Sequence, residues 1–128
     1  MNLSMLKCKL HRAVVTHAEL AYDGSCAIDQ DLLEAAGLLP FERLEIYNIN
    51  NGERFATYAI VAERGSGIIS MNGAAARKVA VTDRVIICAY VSLDANEAAT
   101  HNPRLIYLDD KNQIDRTSGN IPTQLAAR

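Results

Sequence analysis

LEIYNI at residues 44–49, NNG at 50–52 and ERFATYAIVA at 53–62 read as strand, turn and strand. Both flanks are rich in β-branched and aromatic residues. Asn51-Gly52 is the strongest short hairpin signal, because a type I′ turn needs positive φ at both central residues. On the second strand Arg54, Ala56, Tyr58 and Ile60 share one face, and Thr57 points to the other. Upstream, Leu6, Cys8 and Leu10 alternate with Lys7, Lys9 and His11, the period of a half-buried strand with Lys9 and His11 on the same face. Residues 12–18 (RAVVTHA) continue extended, and Tyr22-Asp23-Gly24-Ser25 interrupts them as a turn. Asp29 as N-cap, Leu32, Leu33 and Ala36 on one face, and Gly37 at C′ predict a short helix that Pro40 stops from continuing.

Downstream, Arg64-Gly65-Ser66-Gly67 makes a turn and Ile68–Met71 a strand. Asn72-Gly73 opens a second short helix reaching Lys78. Arg84–Leu93 reads as a buried strand and Leu105–Leu108 as the last. The polar stretch beyond Asp109 is expected to be mobile in part, above all after about residue 115. Many short strands, tight turns and two small helices predict a mainly β barrel or sandwich, and pattern alone does not choose between them.

The 128 residues suit a single domain, 1–128, and 49% apolar content excludes global disorder. Thirteen basic against 15 acidic residues leave a net charge of −2, with no basic excess for a phosphate-binding surface, so nucleic acid is not the expected partner. The N-terminal MNLSMLKCKLHR builds no apolar export core. The longest apolar run, Val85–Val91, falls far short of the ~20 residues of a spanning helix, so no membrane is expected. Cys8, Cys26 and Cys88 are scattered without a CxxC, which predicts no metal site, no disulfide framework, and reduced thiols in the cytoplasm.

Several residues invite chemistry. Glycine leaves the Gly24 carbonyl sterically open to the Ser25 hydroxyl, and attack there would move the acyl group from nitrogen to oxygen. The dipeptide by itself reads as a turn. Arg54 offers a planar fork for a carboxylate, and Tyr58 a proton for a carbanion-like centre. Without further context they are a solvated arginine and a half-buried tyrosine, and Thr57 is a strand former. Lys9 and His11 form either a positive wall or an exposed strand face. Asn72-Gly73-Ala74-Ala75 presents backbone N–H groups to an anion or is a small-residue junction. His17 and His101 lack metal spacing and read as structural. Ser66 between Gly65 and Gly67 matches no phosphate-loop pattern.

The order of these segments is more specific than any one of them. LKCKLHRAVVTHAELAYDGSCAIDQDLLEAAG (6–37), NNGERFATYAIVAERGSGIISMNGAAARK (50–78) and DRVIICAYV (83–91) closely resemble the pyruvoyl-dependent aspartate 1-decarboxylases, from Met5 to about Pro122. The resemblance implies a mainly β fold, a six-stranded double-psi β-barrel with short helices, assembled as a homotetramer with sites between subunits. It implies self-cleavage between Gly24 and Ser25, conversion of Ser25 to a covalent pyruvoyl cofactor, and decarboxylation of L-aspartate to β-alanine and CO2 for pantothenate synthesis. By the same resemblance Ser25 and Tyr58 are catalytic. Lys9, His11, Arg54, Thr57, Gly73, Ala74 and Ala75 bind substrate, and Gly24, Ser25, Thr57 and Asn72 serve the cleavage. Asp23 precedes the scissile residue where some members carry glutamate. The resemblance allows for an accessory maturation protein as a partner. The alternatives are an uncleaved small β-barrel that binds a ligand, and a stalled precursor in which Ser25 remains serine.

Overall fold

A computed structural model describes residues 1–127. Nine strands are formed among the described residues: β1 (Asn2–Val14), β2 (His17–Glu19), β3 (Ser25–Asp29), β4 (Arg43–Asn48), β5 (Arg54–Ala62), β6 (Ile69–Asn72), β7 (Arg84–Asp94), β8 (Arg104–Leu108) and β9 (Ile114–Ser118). They are joined with helix α1 (Gln30–Ala36), a 3₁₀ helix (Gly73–Lys78) and helix α2 (Ala95–Ala99). The hydrogen-bonded order is β2-β6-β3-β5-β4-β7-β1-β8-β9. Pairs β2·β6 and β3·β5 are parallel, and parallel neighbours require crossover connections, as the expected double-psi barrel does.

Nine strands replace the expected six, and the ladder as such is open, with β2 and β9 at its ends. The reason lies at Val15 and Thr16, where β1 bends into β2. Val15 N–H donates to the Asp83 carbonyl beside β7 (2.9 Å), and Thr16 N–H donates to the Ile69 carbonyl of β6 (2.8 Å). The chain itself thus bridges the two flanks of the sheet. Counted as one bent strand, β1–β2 completes a ring of six with β6, β3, β5, β4 and β7. The β8–β9 hairpin lies outside that ring.

Strand alternation fills the interior. Leu10, Leu44, Ile46, Ile28, Ile69 and Ile87 are fully buried in one hydrophobic cluster, each contributing roughly 1.5–3 kcal/mol by removal from water. β1 follows its period-2 pattern through two register shifts, Leu6/Cys8 and Leu10/Ala13, and Arg12 adopts φ 63° at the second. Such bulges sharpen strand curvature.

Local signals were accurate where local interactions decide. Asp29 caps α1 by accepting from Asp31 N–H, and Gly37 ends it in the left-handed conformation at φ 75°. The 44–62 hairpin forms, but without a type I′ turn. Only Gly52 has positive φ there (76°), and a wider loop is closed by Gly52 N–H to Asn48 O and Asn48 N–H to Glu53 O, both 2.9 Å. The asparagine side chains also have remote partners: Asn51 Nδ2 donates to Lys78 O and Asn50 Oδ1 accepts from Arg84 N–H. Two further expectations are corrected. Helix α2 adds a third short helix, started by a capping box between Asp94 and Glu97. Leu105–Leu108 is not the last strand, because β9 pairs antiparallel with β8. Four of its five residues are exposed, so no apolar alternation marked it. Residues 119–127 carry no helix or strand. The three cysteines are free and buried, and no helix among the described residues is long and apolar enough to cross a membrane.

Candidate active site

On β3 the interior takes Cys26 and Ile28, so Ser25 and Ala27 point the other way. Ser25 is nonetheless fully buried. The cover comes from the chain around it: β3 pairs antiparallel with β6 so that Ser25 faces Asn72, and the 3₁₀ helix begins at once with Gly73. Gly73 has φ 65°, and a Cβ there would lie 2.7 Å from Gly24 Cα. Glycine therefore permits both the left-handed backbone and the close approach to the residue before Ser25.

Within this enclosure three polar side chains form a relay. Ser25 Oγ donates to the Asp23 carbonyl (3.0 Å) and accepts from Asn72 Nδ2 (3.0 Å). Asn72 Oδ1 in turn accepts from Ser70 Oγ (2.8 Å). All three residues are buried. Beside them runs a groove of about 230 Å³, lined by His17, Glu19, Tyr22, Ala27, Ile60 and Asn72 among others. His17 is held there by a 2.8 Å contact between its Nδ1 and Thr16 Oγ1.

β5 runs parallel to β3 with Cys26 opposite Ala59, so Ser25 and Tyr58 are the next positions on the same ladder and share its outer face. Tyr58 is 37% exposed, and the Phe41 ring lies against it at 6.5 Å. Phe41 itself adopts φ 72°, tied by its N–H to the Ala59 carbonyl (2.7 Å). Thr57 takes the opposite face of β5, opposite Leu44 of β4 and half-buried. Arg54 does share the face of Tyr58, as the spacing predicts, but four residues of strand separate them by about 13 Å. The two do not converge within one chain. Arg54 stacks on Tyr47, its cross-strand partner, 3.9 Å from the ring centroid, and Tyr47 Oη bonds Tyr90 Oη at 2.7 Å. Burial, and then the Tyr47 hydroxyl, push the Tyr90 phenol above its ordinary range.

Lys9 and His11 lie on β1, which hydrogen-bonds to β7 and β8 and not to β3. Around Tyr107 they form a cationic cluster: Lys9 Nζ is 5.9 Å and Arg116 Cζ 3.7 Å from the ring centroid, and His11 packs edge-on at 5.2 Å. His11 Nδ1 is buried without a hydrogen-bond partner among the described residues. Burial, with Lys9, Arg12 and Arg116 nearby, lowers the imidazole below its ordinary value. Ala74 and Ala75 continue the 3₁₀ helix beyond Gly73, beside the Ser25 enclosure.

The structure thus gathers Gly24, Ser25, Asn72, Gly73 and Tyr58 at one place, and separates Lys9, His11 and Arg54 from it. Composition and motif did not single out Ser70 or Tyr47. The signal for Ser70 was its i, i+2 spacing from Asn72 on a strand. For Tyr47 it was the hairpin register that sets it opposite Arg54. No group of three or more metal-ligating side chains occurs among the described residues.

Comparison with known proteins bears on these residues as a set. The family model described as "Aspartate decarboxylase" matches residues 1–115. "Aspartate 1-decarboxylase" of Thioalkalivibrio sulfidiphilus is 64% identical over 126 residues, covering 98% of this chain and 100% of the relative. The protein of that name from Psychromonas ingrahamii is likewise 64% identical over 126 residues with the same coverage. Among solved structures, the computationally designed msDPBB_sym2 is 18% identical, covering 68% of this chain and 96% of that one at a TM-score of 0.46, so the fold rests on the strand pairing described above. A family match over most of the chain, with relatives alike from end to end, is decisive: the chain belongs to the aspartate decarboxylase family.

Proposed function

We propose that this chain is an aspartate 1-decarboxylase that converts L-aspartate to β-alanine and CO2 for pantothenate synthesis, with a pyruvoyl group made from its own Ser25. The observation that carries the reading is the buried Ser25 hydroxyl, held between Asn72 Nδ2 and the Asp23 carbonyl directly after Gly24. In the precursor Ser25 Oγ attacks the Gly24 carbonyl carbon, the C–N bond breaks, and the proton passes to the freed amine. The ester then eliminates, and water converts the resulting dehydroalanine to pyruvoyl with loss of ammonia. Asn72 steadies the nucleophile, and Thr57, the residue before Tyr58 in the middle of β5, assists the cleavage.

The residues present fit such a group. Such a group would occupy no more space than Ser25 and would lie in an enclosure where Gly73 closely approaches Gly24. When formed, the pyruvoyl group supplies a carbonyl for the substrate amine and an electron sink for the pair released with CO2. Tyr58 then delivers a proton to the former α-carbon. Backbone N–H groups of Gly73, Ala74 and Ala75 seat a substrate carboxylate, and Lys9, His11 and Arg54 surround the dianionic substrate with positive and hydrogen-bonding groups.

Because Arg54 lies about 13 Å from Tyr58 along β5, and Lys9 and His11 stand on a strand that does not pair with β3, we place the complete site between copies of the chain in a homotetramer. Its compartment is the cytoplasm, in keeping with three free thiols. Intact-protein mass spectrometry under denaturing conditions tests the reading. Two fragments are expected, 1–24 and a remainder that begins with pyruvoyl in place of Ser25. A single full-length mass that persists on incubation, or a cut elsewhere, refutes it. Light scattering of the purified protein tests the tetramer.

A further inference from the structure

Ser70 and Asn72 leave β6 on the same face, two residues apart, and both are buried. The bond to Asn72 Oδ1 (2.8 Å) is the single hydrogen bond of the Ser70 hydroxyl among the described residues. A primary amide is nearly symmetric in shape but opposite in polarity at its two ends. Turned over, Asn72 would present an acceptor to Ser25 Oγ, and the Ser70 proton would be left buried without a partner, which is unfavourable. In the observed orientation Nδ2 faces Ser25 Oγ at 3.0 Å, and the Ser25 proton is directed to the Asp23 carbonyl. That orientation matters for attack on Gly24. As the Ser25 proton leaves, negative charge gathers on Oγ, and an N–H donor stabilises it where an amide oxygen would repel it.

We propose that Ser70 is a positioning residue for self-cleavage, whose hydroxyl selects the orientation of Asn72 that presents an N–H to the Ser25 nucleophile. The inference rests on the cleavage at Gly24–Ser25 proposed above. It assigns Ser70 to the precursor alone, because the Ser25 hydroxyl no longer exists once the chain has matured.

The test follows the fraction of cleaved chain with time by intact mass, for the wild-type chain, Ser70→Ala and Ser70→Thr. Ser70→Ala is expected to slow cleavage about tenfold, equivalent to ~1.4 kcal/mol. Ser70→Thr, which keeps the hydroxyl on a strand that accepts β-branched residues, should cleave within about threefold of wild type. Once maturation is complete, kcat and KM for aspartate of Ser70→Ala should lie within about twofold of wild type. A packing role would instead slow both variants alike or lower kcat of the mature enzyme, and either result overturns the proposal. Ser70→Ala cleaving as fast as a cleaving wild-type chain overturns the role of Ser70 alone. A wild-type chain that stays at one mass overturns the cleavage on which the role depends.

Discussion

Gly73→Ala should damage this protein far more than Gly24→Ala, although the two glycines touch. Gly73 has φ 65°, and an added Cβ would lie 2.7 Å from Gly24 Cα, 3.0 Å from Gly24 N and 3.3 Å from the Tyr22 carbonyl oxygen. Every atom met is backbone, so no side-chain rotamer relieves the contact. The left-handed conformation costs an L-residue about 1–2 kcal/mol, and displacing packed backbone adds about 1–3 kcal/mol. The expected loss is therefore about 2–5 kcal/mol. A Cβ on Gly24 meets nothing within 4 Å, and its φ is not positive, so Gly24→Ala should cost less than about 1 kcal/mol. Urea unfolding in a Ser25→Ala background keeps each variant as one uncleaved chain. With a urea m-value of about 2 kcal/mol/M, Gly73→Ala should lower the midpoint by about 1 M or more. A Gly73→Ala midpoint unchanged from the background, or equal losses for the two glycines, would show that the turn before Ser25 is not packed against the 3₁₀ helix as argued.

Asp29 accepts from three backbone N–H groups, those of Asp31 (2.9 Å), Gly65 (3.0 Å) and Gly67 (2.8 Å). Asp29→Ala leaves these donors unpaired and should lose about 3–5 kcal/mol, while Asp29→Asn, with one acceptor oxygen, should fall between; equal urea midpoints for the three proteins would refute this. The His11 imidazole is held below its unfolded value by burial and by Lys9, Arg12 and Arg116. As pH falls from about 6.5 the unfolded chain takes up the proton first, so stability should decline from there down to the folded value and stay flat above. His11→Phe should remove that slope from a pH series of unfolding free energies, and an identical slope in both proteins would exclude His11 as its source. For the proposed reaction, Tyr58→Phe should still cleave but decarboxylate at least about 100-fold more slowly, and wild-type turnover would remove it as proton donor. Arg54→Ala in fully processed form should turn over aspartate poorly, and undiminished kcat/KM would refute its substrate role.

What could be read from the chain was whatever neighbouring residues decide among themselves. Asp29 and Gly37 bracket α1 because their bonds are to the helix they cap. β1, β4, β5 and β7 follow period-2 burial because alternate side chains must leave opposite faces. The Asp94–Glu97 capping box is equally local, and it starts a helix of only five residues. β9 left no trace, since a strand held only by its backbone to β8, with its side chains exposed, needs no alternation.

Around the site the division is sharper. Gly24-Ser25 by itself is a turn, and Arg54 with Tyr58 only two residues on one strand face; their order along the chain pointed to the family. Burial of Ser25, the register that sets it opposite Asn72 and beside Tyr58, and the pressure of Gly73 on Gly24 were decided by the tertiary structure alone. So was the placement of Lys9 and His11 apart from Ser25, because β1 pairs with β7 and β8 and not with β3. The reason is physical. Dihedral preference and side-chain period act within a few residues and are carried by the sequence directly. Strand pairing joins residues as far apart as Ser25 and Asn72, and only closure of the whole barrel around one core selects that register over the others.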